Sequence, residues 1–478
     1  MIIDRRRLLT SSSLIALTAC AKTLNTVQDI FLGQGTIVGE VTSSSALLQT
    51  RITATAALDA DGDMHGANGI VSFEWSKNSD FSGSSRATPE IAAPENDFIV
   101  RSLIGPLEAN TQYYFRAIYG KPLSSTLVGP TGKFSTLAGK TIEKTVQFIV
   151  GSCMNYTTFM HGKEGKASGP VTATEEDKNT GYPSFRSMLE KEPDFFVGTG
   201  DIVYYDNKLR HAETLAGLHK TWHEQFRFLR LQEFFRSVPT YWSKDDHDFR
   251  YNDADLVSDR FPSPKVGIDL FREQLPLSPR NKETPSYRTH RISQDLQIWL
   301  TEGRDYRSNN LAPDNAEKSM WGSTQLAWLK DTLLESDATW RILISPTPMV
   351  GPDDLYKKDS HANVGGFQHE GEEFFNWLKE SRIQNFAIVC GDRHWQYHSV
   401  HQSGVHEFGC GALNDENARL GVAPGDKNGS DSEGLIEQKF SSPTPTGGFL
   451  AIQASTDLVF EHFNSAGELQ YHFQLPST

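Results

Sequence analysis

Four short apolar runs in this chain each stop abruptly at polar residues. Val146-Gln147-Phe148-Ile149-Val150 runs into Gly-Ser-Cys, and Phe195-Phe196-Val197-Gly198 into Thr-Gly-Asp. Trp340 to Ile344 ends in Ser-Pro, and Phe386-Ala387-Ile388-Val389-Cys390 in Gly-Asp. Helical stretches lie between them, among them Thr214 to Arg236 and Thr324 to Leu334. Buried strands alternating with helices predict an α/β fold whose ligands bind outside the carboxyl ends of the strands, so the chemistry is expected at these four stops.

The 478 residues suffice for two or three domains. Residues 33–137 read differently from the rest. Alternation in Ala46 to Ile52 and in Tyr113 to Tyr119, with turn-rich stretches between, predicts an all-β unit. Leu107-Glu108-Ala109-Asn110-Thr111-Gln112-Tyr113 resembles the start of a fibronectin type III strand, with Tyr113 as its tyrosine corner. Lys133 to Leu137 would close that unit, and residues 138–144 read as a linker. Gly448 to Leu475 reads as further β-structure around a turn at Gly467.

A net charge of -14 disfavours non-specific binding to nucleic acid or anionic membranes. With 37% hydrophobic and 22% charged residues, the composition is ordinary for a globular protein and argues against disorder of the whole chain. Arg5, Arg6 and Arg7 precede Leu8 to Ala19, an apolar stretch too short to span a bilayer. Asp4 to Leu9 resembles a twin-arginine signal, and Leu17-Thr18-Ala19-Cys20 a bacterial lipobox. Residues 1–20 are therefore expected to direct export, giving a periplasmic or outer-membrane lipoprotein; a plain cleaved secretory signal is the alternative. Of the other three cysteines, Cys390 and Cys410 either pair or remain buried thiols, and Cys153 stands at a strand stop.

The clusters that carry chemistry are Gly151-Ser152-Cys153, Gly200-Asp201-Ile202-Val203-Tyr204, Lys244-Asp245-Asp246-His247-Asp248 and Gly391-Asp392-Arg393-His394. Singly each reads as a turn or a polar loop. Together they bring carboxylates, two histidines, a tyrosine and a cysteine to one sheet edge, the donor set of a bimetallic centre. Taken alone, Cys153 reads as a buried thiol and Tyr204 as a core aromatic, with Tyr205 a rival for its role. His219 and His223 lie one helical turn apart without a zinc pattern and read as helix surface.

These clusters resemble the alkaline phosphatase D family of the calcineurin-like metallophosphatase superfamily. There the superfamily's Asp-x-His becomes Gly-Ser-Cys, its Gly-Asn-His becomes Asp-Asp-His, and its Gly-His-x-His becomes Gly-Asp-x-His. Arg304-Asp305-Tyr306-Arg307 and Trp321 to Leu329 resemble later blocks of that family. Glu302-Gly303-Arg304 departs from its usual Asp-Thr-Arg, and Ser345-Pro346 stands where the superfamily has a further histidine. The resemblance covers about 144–475. It implies a metallophosphatase-type β-sandwich flanked by helices, preceded by a small all-β immunoglobulin-like sandwich. It also implies that Cys153, Asp201, Tyr204 and His394 hold one metal, and that Asp201 bridges to a second metal on Asp246 and Asp392. Thiolate and tyrosinate suit Fe3+, and the oxygen ligands suit Ca2+, other divalent ions being compatible. Asn252 and Asp253 either add oxygens or form a polar loop.

The implied activity is hydrolysis of phosphate monoesters or diesters by a metal-bound hydroxide. His247 would be the general acid, with Arg304 or Arg393 gripping the phosphate unless they are structural ion pairs. The expected partner is a small phosphoester or a phospholipid, with a lipid anchor and no specific nucleic-acid binding. The alternatives are a phospholipase D-like diesterase on lipid head groups and a non-catalytic envelope lipoprotein.

Overall fold

The computed structural model describes residues 30–121, 126–162, 170–277 and 284–477. The export segment, with Arg5, Arg6, Arg7 and Cys20, lies outside the described residues. Among those described, no helix is long and apolar enough to cross a membrane.

The apolar runs are apolar on both faces because both faces are covered. Val146–Gly151, Phe195–Thr199 and Thr240–Ser243 pair in parallel. Phe148, Val150, Phe195 and Val197 point inward, while Ile149 and Phe196 point outward into a helix-covered layer. A second sheet carries Leu296–Leu300, Trp340–Ser345, Phe386–Cys390 and His406–Cys410 in parallel. Ile298, Ile342, Ile344 and Val389 meet the first sheet, and Trp299, Leu343 and Ile388 join the outer layer with residues of helices Gly322–Glu335 and Gln368–Glu380. The result is two sheets face to face with helices outside. Cys390 and Cys410 are buried free thiols in core strands, so the alternative of a disulfide falls away.

The expected single helix from Thr214 to Arg236 is two, Leu215–Phe226 and Leu229–Ser237. Thr214 starts the first by accepting from Gly217 N at 3.1 Å. Phe228 breaks the run in an extended conformation, buried against Tyr156, Phe159 and Tyr182.

The N-terminal unit is an all-β sandwich with its own core, including Val38, Leu48, Phe73, Val100, Phe115 and Phe134. Tyr113 forms the expected corner: it is buried, and Glu108 N donates to its hydroxyl at 2.9 Å. The sandwich is not a bead on a linker, however. One of its sheets, Thr36–Gly39, Ala46–Arg51 and Ile99–Ile104, continues the first of the two large sheets through Thr240–Ser243. The expected linker is pinned too, with Leu137 and Ala138 buried and Gly139 N bonded to Ile292 O at 3.1 Å. The reading of His223 as helix surface is likewise overturned. It is buried between Asp63 and Asp97 of the sandwich, at 2.6 and 2.7 Å, while His219 meets Glu273 at 2.9 Å.

Candidate metal centre

The carboxyl ends of the parallel strands meet at one edge, and the backbone there is unusual. Cys153, Asp201 and Asp392 all have left-handed φ, at 60°, 55° and 63°. Aspartate tolerates this conformation better than cysteine, and such residues cluster at functional sites. Gly200 precedes Asp201 at φ 87°, where a Cβ would lie 2.5 Å from Asp245 Cβ and 2.8 Å from its nitrogen. The Gly-Asp sequence is thus what lets this strand end against the Asp245 loop.

The ligand atoms of Cys153, Asp201 and His394 lie within 4.8 Å of one another, and so do those of Asp201, Asp246 and His247. Asp201 belongs to both groups. Its Oδ2 takes hydrogen bonds from Tyr204 Oη at 3.2 Å and Cys153 Sγ at 3.6 Å, and its Oδ1 from His247 N at 3.3 Å. Tyr204 Oη also lies 3.4 Å from His394 Nε2. Tyr205, the rival, is a core residue whose hydroxyl accepts from Trp222 Nε1 at 2.7 Å.

A third group joins Asp246, Asp253 and Asp359 within the same limit. Asp253, which the sequence left between ligand and polar loop, therefore stands at the site. Asp392 lies at the same edge, but its Oδ2 is 2.6 Å from Arg393 Nη1 and it falls in none of these groups.

Several carboxylates at this edge are disfavoured in their charged form by burial, while His247, Arg304 and Lys357 hold Asp246, and Lys357 and Arg304 hold Asp359, below the usual range. Burial, then the Asp246 carboxylate, pushes Asp201 well above the usual carboxylate range. Burial and Asp359 lift Asp253 to about 7; burial lifts Asp392 to about 6 against the pull of Arg393. Burial also raises Cys153 and Tyr204, with Asp201 adding to both. Asp246 Oδ1, Asp359 Oδ1 and Asp245 Oδ2 are buried with no hydrogen-bond partner among the described residues. Orphaned buried carboxylate oxygens are costly, and metal ions would satisfy them. The donor set fits: thiol, phenol, carboxylate and imidazole on one side of Asp201, mainly carboxylates on the other.

His247 stacks on Tyr204 with ring centroids 4.2 Å apart. Its Nδ1 meets Asp206 Oδ1 at 2.6 Å. Burial would lower its pKa, yet Asp246, Asp206 and Asp201 hold it well above the ordinary histidine value. Cations on Asp246 and Asp201 would weaken two of those three influences and leave Asp206.

Both arginines are buried in ion pairs with carboxylates of this edge. Arg304 is fully buried, donating through Nε to Asp245 Oδ1 at 2.7 Å and lying 3.4 Å from Asp359 Oδ2. Breaking a pair this buried costs about 3–5 kcal/mol, so Arg304 is part of the frame. Arg393 is buried as well, with Nη1 shared between Asp353 and Asp392 at 2.7 and 2.6 Å. The departure at Glu302 is structural: it pairs with buried Lys244 at 2.8 Å.

Residues 148–439 match the PhoD-like phosphatase family, and residues 19–138 match that family's N-terminal domain. The chain belongs to the PhoD-like phosphatase family. This PhoD-like chain is 23% identical to alkaline phosphatase D of Bacillus subtilis (strain 168) over 403 residues, which cover 75% of this chain. It spans 64% of that relative's length. The solved structure of PhoD superposes with a TM-score of 0.72 at 19% identity, covering 94% of this chain and 92% of the other. A purple acid phosphatase, PPD1 from yellow lupin (Lupinus luteus) seeds, superposes with a TM-score of 0.63 at 10% identity, covering 94% and 74%. Both show the shared fold.

Sequence reasoning missed several groups that the PhoD-like fold brings here. Asn417 Nδ2 donates to Tyr204 Oη at 3.0 Å and to Cys153 O at 3.2 Å. It follows a fifth strand stop, Gly409-Cys410-Gly411, and that pattern was available to find it. Asp206 lies two residues past Tyr204, just beyond the cluster that ends there. Asp359 and Lys357, which pairs with Asp253, come from an irregular segment without any motif.

Proposed function

We propose that the chain is a metal-dependent phosphoesterase acting on phosphate monoesters or diesters. The observation that carries this reading is Asp201, one carboxylate shared by two groups of metal-ligand side chains at the strand ends. Cys153, Asp201, Tyr204 and His394 would hold Fe3+. Asp201 and Asp246, supported by Asp253, Asp359 and Asp392, would hold Ca2+. When bound, such cations lower the pKa of a water and offset the charge of a phosphoryl group.

The chain's own residues do the rest. Asp206 fixes Nδ1 of His247, which leaves Nε2 to give a proton to the departing oxygen. The Tyr204 ring holds the imidazole plane. Asn417 orients the Tyr204 hydroxyl. Arg304 and Arg393 hold the carboxylate loops in place. A non-catalytic lipoprotein would tolerate gaps in the ligand set; the grouping of Cys153, Asp201 and His394, and of Asp246, Asp253 and Asp359, supports the enzyme instead. The Arg5-Arg6 pair and Cys20 support export and lipid anchoring of a folded, metal-loaded passenger.

The test is steady-state hydrolysis of p-nitrophenyl phosphate, bis(p-nitrophenyl) phosphate and phosphatidylcholine vesicles. Turnover of at least one nitrophenyl ester is expected. It should be lost on chelation and restored by added iron and calcium. Hydrolysis of the vesicles alone would move the assignment to a phospholipase. No hydrolysis of any of them, with metals bound, would contradict the phosphoesterase reading.

A further inference from the structure

Beside the candidate metal centre lies a cleft of about 280 Å³, near the small end of ligand pockets. Tyr204 lines it, so one side chain belongs to both the metal-ligand cluster and the cleft. The other walls carry Arg210, His211, Lys220 and Thr221. The one acid in the lining is Glu224, which pairs with Arg210 and lies 3.9 Å from Lys220 Nζ. Among the lining residues two cations face one carboxylate, an excess of positive charge in a chain whose net charge is -14. A positive patch on an acidic protein at the rim of a reactive centre concentrates anions.

The two cations are held from two sides. Lys220 sits on the helix Leu215–Phe226 and donates to the carbonyl of Asp61 in the N-terminal sandwich at 2.5 Å. One turn further on the same helix, His223 is held between Asp63 and Asp97 of that sandwich. The sandwich therefore braces the helix that forms one wall of the cleft. Arg210 lies on the opposite loop, its guanidinium 5.7 Å from the centre of the Tyr156 ring. Pairing with Glu224 uses only part of its five-donor fork, and 32% of its side chain remains exposed. Lys220 keeps 29% of its side chain exposed.

Resting on the phosphoesterase reading, we propose that this cleft is a subsite for a second anionic group on the substrate. Its ligand is a phosphate or carboxylate on the alcohol side of the scissile ester, bound by Arg210 and Lys220 while the scissile phosphate occupies the metal centre across Tyr204. The preferred substrates are then phosphate esters bearing a second negative group on a small alcohol. The N-terminal sandwich sets specificity by positioning Lys220.

The experiment compares phenyl phosphate, 4-carboxyphenyl phosphate and 1,4-phenylene bisphosphate on the metal-loaded full chain. The wild-type protein is expected to show higher kcat/KM for the two esters with a second charge. Lys220→Gln and Arg210→Gln should each lower that preference about three- to tenfold, the range for a partly exposed charge contact. The loss should appear mainly in KM, and raising ionic strength should erode the wild-type preference. Lys220→Gln keeps the Arg210–Glu224 pair intact and so guards against a folding defect in Arg210→Gln. A preference that survives both substitutions, or no preference at all in the wild type, would overturn the subsite while leaving the phosphoesterase intact. No turnover of any of the three esters would instead remove the phosphoesterase reading, and the subsite with it.

Discussion

Asp201→Asn lowers turnover of a phosphate ester by at least about 10³-fold, since a shared ligand supports the several kcal/mol that bound metals supply. The reason is geometric. Asp201 is the one residue in both ligand groups, so the substitution removes charge from two cation positions at once. Asparagine has the same shape, but its amide is neutral and a weaker ligand for hard cations than a carboxylate. One amide orientation keeps the bonds, with its oxygen accepting from His247 N and its NH2 facing Tyr204 Oη and Cys153 Sγ, which can accept. A melting curve of the metal-free protein separates this from unfolding. Burial and the Asp246 carboxylate both penalise the Asp201 charge, so the metal-free variant should melt no lower than the metal-free wild type. Full turnover in Asp201→Asn would refute the shared-ligand geometry.

The second large effect falls on His247. His247→Ala is expected to keep its metals and lose about 10²–10⁴-fold in turnover of an alkyl phosphate, the scale of general acid help. Nitrophenolate leaves without a proton, so the loss on a nitrophenyl ester should shrink to about tenfold or less. Asp206→Asn should give a milder version of the same pattern, because Asp206 positions His247 Nδ1 at 2.6 Å without touching substrate. A variant of His247 that loses equally on good and poor leaving groups would assign the residue to positioning or metal retention.

The strand-end clusters were legible because the turn chemistry there is local. Gly200-Asp201 and Gly391-Asp392 announce a strand that must stop and turn, and the left-handed φ at Asp201 and Asp392 is the conformation such pairs supply. The two layers of core followed from runs such as Phe148-Ile149-Val150, apolar on both faces. The roles of the two arginines were not legible in the same way. A guanidinium beside a site suits a phosphate, and only the folded chain shows Asp245 and Asp359 already taking Arg304, and Asp353 taking Arg393.

Asp359 and Lys357 stayed hidden because they come from a segment with neither periodicity nor a turn signature, brought to the site by tertiary packing alone. The continuity of the N-terminal sandwich with the catalytic sheet was hidden for a related reason. It rests on pairing of Gly39 with Thr240, far apart in sequence, and nothing local to either residue encodes it. Likewise Asp63 and Asp97, which bury His223, lie in another unit of the chain, so its neighbourhood on the helix gave no sign of them.

The central claim is that two unlike cations share Asp201, and the metal content of protein purified after export from its own host tests it most directly. Elemental analysis is expected to find iron together with calcium. The iron should give a visible charge-transfer band from Tyr204 or Cys153 that disappears in Tyr204→Phe if the phenolate is its donor and in Cys153→Ala if the thiolate is. Stoichiometric zinc without iron, or full activity in protein free of metal, would contradict the account.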